Sequence, residues 1–169
     1  MITFKQFITE ARMAPLYHGT SAAYLSSIVR RGIRGETIQA AHKILKNDNQ
    51  VGVSTTRSLK FAVSWVSGER NEGIVLEFDQ QKLAQMFEIK PISYFTSETR
   101  GSREMGEKHY TNEFEEFVIT GKRSIPFSYI TRIYISRQYA KRWPEKYERD
   151  IVPIQQQYGS SFIRYYDHI

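Results

Sequence analysis

The sequence contains no cysteine, which removes disulfides, thiolate metal sites and cysteine nucleophiles together. It also lacks any run of 18 or more apolar residues. The longest stretches are short, such as Phe61 to Val66, so a membrane-spanning helix is excluded and no membrane partner is expected. A phosphate-cradling loop needs a glycine, four intervening residues and then Gly-Lys-Ser/Thr. Gly121-Lys122 is followed by Arg123, and the upstream glycine position holds Glu116. Gly32 and Gly35 stand alone, so there is no Gly-x-Gly-x-x-Gly, and no serine sits in a Gly-x-Ser-x-Gly elbow. The four histidines, His18, His42, His109 and His168, are dispersed without metal-ligand spacing, so no metal cofactor is expected.

What is present is an ordinary globular mixture: 169 residues, 40% hydrophobic, 25% charged and 14% aromatic. That length and composition predict one domain, comprising residues 11–169, with a single core. Lys and Arg total 24 against 18 Asp and Glu, a surplus of +6. The charge suits an anionic partner such as nucleic acid, and equally suits a merely soluble surface.

Residues 1–11 read MITFKQFITEA, with Ile2, Phe4, Phe7 and Ile8 near helical spacing. The peptide is too short and too polar for a secretory signal, and Lys5 lies inside it. It resembles the capsid-targeting peptides of internal head proteins in T-even-like tailed phages, which are cut after an apolar-x-Glu triplet. Ile8-Thr9-Glu10, followed by Ala11, is such a triplet. The resemblance implies a phage-encoded protein, located in the virion interior, the host cytoplasm or both, that loses residues 1–10. A terminal helix docked on the core explains the same pattern.

Beyond Met13, the pattern is mixed α and β. Leu16-Tyr17-His18 ends in Gly19-Thr20, which predicts a short strand entering a turn. A helix follows over 22–31, capped by Ser21 and stopped by Gly32. Residues 34–50 read as a polar excursion with a weak helical centre at 40–45. Residues 51–56 are strand-like, and Ser58 caps a helix over 59–66. Residues 73–79 form a buried strand, 97–113 a charged loop, and 114–119 and 130–135 further strands. Strands without regular βαβ spacing favour an α+β sandwich over a doubly wound sheet.

Three segments carry candidate chemistry. In Tyr17-His18-Gly19-Thr20, the glycine lets a ligand approach the backbone, and His18 either bonds a ribose hydroxyl or satisfies a turn carbonyl. In Gly52-Val53-Ser54-Thr55-Thr56-Arg57, a strand ends in three hydroxyls and a cation; alternation puts Ser54 and Thr56 on one face and Thr55 on the other. In Glu113-Phe114-Glu115-Glu116-Phe117-Val118-Ile119, a carboxylate leads into an apolar strand, where a charge needs water or a partner.

In order and strand context, these segments resemble the ADP-ribosyltransferase superfamily, whose members break the nicotinamide-ribose bond of NAD and transfer ADP-ribose. Family members carry a His-Gly or Arg-Gly pair, a Tyr or Ser-Thr-Ser strand, and a Glu before an apolar strand. His18-Gly19, Ser54-Thr55-Thr56 and Glu116-Phe117-Val118-Ile119 match these. The resemblance implies a split antiparallel β-sheet sandwich with flanking helices and NAD as substrate. It implies Glu116 as catalytic residue, stabilising an oxocarbenium-like ribose and holding its 2′-hydroxyl. NAD would be held by Tyr17, His18, Gly19, Thr20, Ser54, Thr55, Thr56 and Arg57. Among these, His18 would hold the adenosine ribose and Gly19 the nicotinamide amide, Ser54 and Thr56 would orient Glu116, and Arg57 would meet the diphosphate.

Ser54 stands where the His-Gly branch has Tyr, so the ring stacking on nicotinamide must come from elsewhere; Tyr24, Phe61 and Trp65 are candidates. Glu113-Phe114-Glu115 also fits the Glu-x-Glu pattern of arginine-modifying toxins, so Glu115 competes with Glu116. The family implies that the loop at 97–113 selects the acceptor, a host protein or nucleic acid. Cations and rings from Arg137 to Arg149 suit nucleic acid or helix packing. An RNA 2′-phosphotransferase and a noncatalytic internal head protein, bound to packaged DNA or the capsid scaffold, are the alternative readings.

Overall fold

The computed structural model describes residues 14–37, 50–66, 73–91 and 115–166. The expectations for residues 1–10, 40–45 and 97–113 lie outside them.

The strands are β1 (Leu16–Ser21), β2 (Ile33–Arg34), β3 (Glu36–Thr37), β4 (Val51–Thr56), β5 (Gly73–Phe78), β6 (Glu88–Pro91), β7 (Glu115–Ile119), β8 (Ser124–Ile125), β9 (Ile130–Ser136) and β10 (Ile163–Tyr166). The helices are α1 (Leu25–Arg31), α2 (Leu59–Val66), α3 (Gln80–Met86), α4 (Arg137–Arg142), α5 (Pro144–Asp150) and α6 (Val152–Tyr158). The main sheet runs β10-β9-β5-β1-β4-β7-β6, with β3 beside β4, while β2 and β8 form a separate two-stranded ribbon. All pairings are antiparallel except β9 with β10. A parallel pair needs a crossover, and α4 to α6 provide it.

The expected α+β sheet with flanking helices is therefore present, and the split is visible in the ladder. β1 pairs with β5 along its whole length, Leu16 opposite Phe78 through Ser21 opposite Gly73. On its other edge, β1 meets β4 at a single bridge, Tyr17 opposite Thr56.

Alternation explains how the sheet is covered on both faces. Leu16, Ile74, Leu76, Phe78, Ile133 and Ile135 pack into the larger core with Leu25 and Ile28 of α1, Leu83 of α3 and Tyr139 of α4. The opposite face is covered by α2, whose Ala62 and Val63 pack with Val75 and Tyr166 against Tyr17 and Tyr134. Burial on both faces accounts for the nearly continuous apolar run of β5. Its one charge, Glu77, is buried but not unpartnered. Its carboxylate accepts from Tyr134 Oη at 2.6 Å and Thr131 Oγ1 at 2.8 Å, and pairs with Arg132 at 3.1 Å. Burial and the adjacent carboxylate push the Tyr134 phenol far above its ordinary range.

Local signals set the element ends near the site. The Ser21 hydroxyl accepts from Ala23 N, but the predicted helix begins as a 3₁₀ turn over Ala22–Tyr24 before α1. α1 stops at Gly32, whose φ of 74° favours glycine. Ser58 accepts from Phe61 N and starts α2, as its position predicts.

Candidate active site

Past the single bridge between Tyr17 and Thr56, β1 and β4 part, and a cleft of about 560 Å³ opens there. His18, Gly19 and Thr20 line one side; Gly52, Val53 and Ser54 line the other. The volume lies in the range of small-molecule sites. Tyr24, Trp65, the end of α1 and the strands after it complete the wall.

His18 clasps the seam. Its Nδ1 lies 2.8 Å from the Ser54 carbonyl oxygen, which can only accept, so Nδ1 carries the proton. Burial pushes the imidazole below its usual range, opposed by the Ser54 bond and the nearby Glu36 carboxylate. The ring is therefore neutral near pH 7, and Nε2 keeps a lone pair able to accept from a hydroxyl. The carbonyl that His18 satisfies is thus that of strand β4 across the gap, rather than one in a turn.

Gly19 lies directly beneath α2. A Cβ there would stand 2.6 Å from Val66 Cγ1 and 3.3 Å from the Ala62 carbonyl oxygen, so only glycine admits this approach without a shift. Under the same helix is a smaller pocket, walled by Tyr17, Ser54, Thr56, Phe61 and Trp65. Among the three ring candidates, Trp65 borders both cavities and is 55% exposed; Tyr24 borders the cleft, and Phe61 the smaller pocket. Phe61 supports Trp65 with ring centroids 5.1 Å apart.

The register places the carboxylates. Thr55 is opposite Glu116, Thr56 opposite Glu115, and Ser54 opposite Phe117. Directly opposed residues share a face, so Glu116 lies with Thr55, and through the Tyr17–Thr56 bridge on the same face as His18. This corrects the expectation that Ser54 and Thr56 orient Glu116, because both occupy the α2 side. Orientation comes instead from Arg57, whose Nη2 and Nε approach one oxygen of Glu116 at 2.7 and 2.8 Å. Thr55 Oγ1 donates to the Glu116 carbonyl at 3.1 Å. Arg57 is also tied to Gln80 Oε1 at 3.1 Å, so the guanidinium expected to meet a diphosphate is engaged by a carboxylate and an amide. Glu116 is 7% exposed; a buried carboxylate without such a partner would carry a large desolvation cost.

Of the predicted site residues, His18, Gly19, Thr20 and Ser54 line the cleft, while Tyr17, Thr55 and Thr56 line the smaller pocket. Glu116 and Arg57 form a pair adjoining these strands, outside the described lining of either cavity. Sequence reasoning missed Arg31, Arg34 and Glu36, which line the cleft. They lie in or beside what read as a surface excursion, and the only signal was the helix stop at Gly32. No group of three or more potential metal-ligating side chains occurs among the described residues.

A large, mostly antiparallel sheet flanked by helices is similar to the fold of DarT ADP-ribosyltransferase structures. The solved structures that match include Thermosipho africanus DarTG in complex with ADP-ribose, at TM-score 0.51 and 11% identity, covering 90% of this chain and 49% of that one. The present chain thus spans about half of the Thermosipho chain. Thermus sp. 2.9 DarT in complex with ADP-ribosylated single-stranded DNA matches at TM-score 0.50 and 10% identity, covering 92% and 94% of the two chains. No protein-family model matches the chain, and no curated protein matches it.

Proposed function

We propose that the protein is an NAD-dependent ADP-ribosyltransferase that modifies nucleic acid. The observation that carries this reading is the parted seam between β1 and β4, clasped by a neutral His18 and flanked on the same sheet face by the buried Glu116–Arg57 pair. The fold shared with DarT structures holding ADP-ribose and ADP-ribosylated DNA supports it.

NAD lies in the cleft, where Nε2 of His18 accepts from the adenosine ribose and the exposed backbone of Gly19 meets the nicotinamide amide. Trp65 supplies the ring that stacks on nicotinamide, and Ser54 lines the wall beneath it. The bond from ribose C1 to the pyridine nitrogen breaks, with both electrons leaving on neutral nicotinamide. The Glu116 carboxylate stabilises the oxocarbenium-like ribose, as preorganised charges do at such centres. A nucleophilic atom of the acceptor then bonds to C1, and its proton leaves to solvent. Arg57 positions Glu116 and keeps it aligned until the positive charge develops. The surplus of +6 favours a polyanionic acceptor over a protein one.

Within the same proposal, the Ile8-Thr9-Glu10 triplet supports carriage in a phage head with removal of residues 1–10. Intact mass of the protein from virions reads this directly.

The test is incubation with NAD labelled in its adenylate phosphate, together with single-stranded DNA, duplex DNA, RNA or host lysate. Label on nucleic acid is expected. Label on protein alone moves the acceptor to a protein, release of a 2′-phosphate from RNA supports the phosphotransferase, and unconsumed NAD leaves a noncatalytic protein. Glu116→Gln should retain NAD binding and lower turnover about a hundredfold or more; unchanged turnover removes Glu116 from this role.

A further inference from the structure

If NAD occupies the cleft as proposed, its diphosphate brings two negative charges that the enclosing wall must meet. Arg57 is already committed to Glu116 and Gln80. We infer that Arg31 and Arg34 are the diphosphate anchor, a role resting on the reading of the cleft as an NAD site.

Both arginines line the cleft. They are brought there by the turn between α1 and β2. Gly32 has a φ of 74°, and a Cβ on it would stand 2.3 Å from the Ile125 carbonyl oxygen of β8. The turn is therefore held tightly against the two-stranded ribbon, in which Ile33 pairs with Ile125 and Arg34 with Ser124. Arg31 and Arg34 leave this fixed corner on either side of it.

Arg31 is also aimed. Its Nη2 and Nε donate to Ser27 Oγ at 2.8 and 3.2 Å, one turn back along α1, and Ser27 itself lines the cleft. A guanidinium steadied in this way loses less freedom on meeting a phosphate, and its planar fork matches two phosphate oxygens at once. The α1 terminus that carries it presents the negative end of the helix dipole, which alone would repel an anion, so cations are needed at that position. The carboxylate in the same wall, Glu36, acts on His18 and disfavours an anion there. The charge layout thus directs the diphosphate toward Arg31 and Arg34, and the uncharged ribose toward His18 and Glu36.

The experiment is calorimetric binding of ADP-ribose and, separately, adenosine to the wild type and to Arg31→Gln, Arg34→Gln and the double variant. Both side chains are exposed, so thermal unfolding should be unchanged and serves as the folding control. Each single variant should weaken ADP-ribose by about tenfold, the scale of one charge-assisted bond, with adenosine unaffected. The salt dependence of ADP-ribose binding should be smaller in the double variant. ADP-ribose binding equal to wild type in the double variant overturns the anchor, as does an equal loss of adenosine. A wild type that binds neither ADP-ribose nor NAD overturns the reading of the cleft and the anchor with it, an outcome visible before any variant is made.

Discussion

The two edges of β1 differ in kind. Toward β5 the ladder is complete from Leu16 to Ser21, and the flanking side chains are core. Toward β4 it holds one bridge, and a histidine side chain spans what the backbone leaves open. A single strand therefore serves as scaffold along one edge and as the wall of a cleft along the other. His18 shows the division within one residue: it is opposite Leu76 on the zipped side, while its ring reaches Ser54 across the gap. The comparison teaches that a cleft opens here where a strong sheet withholds backbone hydrogen bonds and side-chain donors and acceptors can take over.

Variants on the two edges should separate stability from activity. The largest effect expected is the loss of turnover in Glu116→Gln on the open side, beside a loss of stability that follows from leaving the part-buried Arg57 without its ionic partner. On the zipped side, Leu76→Ala removes a fully buried side chain and should cost about 2–5 kcal/mol of stability, read by urea unfolding, while any surviving folded protein keeps its affinity for NAD. If Leu76→Ala spares stability and selectively abolishes NAD binding, the division between the edges is wrong.

Acidification should act on the open edge through His18. Its folded pKa lies below the ordinary imidazole value because burial disfavours the cation. As pH falls below about 6.5, the unfolded chain takes up this proton first, so stability declines until the folded pKa is passed. The folded ring protonates at lower pH than a free imidazole, and Nε2 then ceases to accept. NAD affinity should be flat above neutrality and fall on the acid side, in step with the His18 ring signals in an NMR titration. An affinity that falls while those signals stay unchanged would remove His18 from the contact.

The smallest effect is expected for Gly19→Ala. The added methyl meets the end of the Val66 side chain first and the Ala62 carbonyl next, so α2 must shift by a few tenths of an ångström. Overpacking of this kind costs about 1–3 kcal/mol. Because α2 carries Trp65, NAD affinity should drop along with stability, and a variant matching wild type in both would show that helix and strand are less tightly joined than the packing indicates.

Much of this was legible in the sequence where local signals and burial agree. Ser58, the apolar spacing after it and the run at Ile74 to Phe78 defined α2 and β5 closely. The order His18-Gly19, Ser54, Glu116 pointed to residues that the fold brings to one seam and its neighbouring strand. The partnership of Glu116 with Arg57 was not legible, because it depends on the register of β4 and β7, strands that lie far apart in sequence. β6 and β10 were missed as well. Glu88–Pro91 is short and ends in proline, a composition that suits only an edge, while β10 is identified by its parallel partner rather than by any pattern of its own.

The strand order carries a kinetic consequence. Among the described strands β1 comes first in the chain and sits in the middle of the sheet, so its two edges must wait for chain made later. Pairings over such sequence distances are slow to form and leave unpaired edges exposed meanwhile. The pair of Arg57 and Glu116 beside the seam exists only once β7 has joined β4.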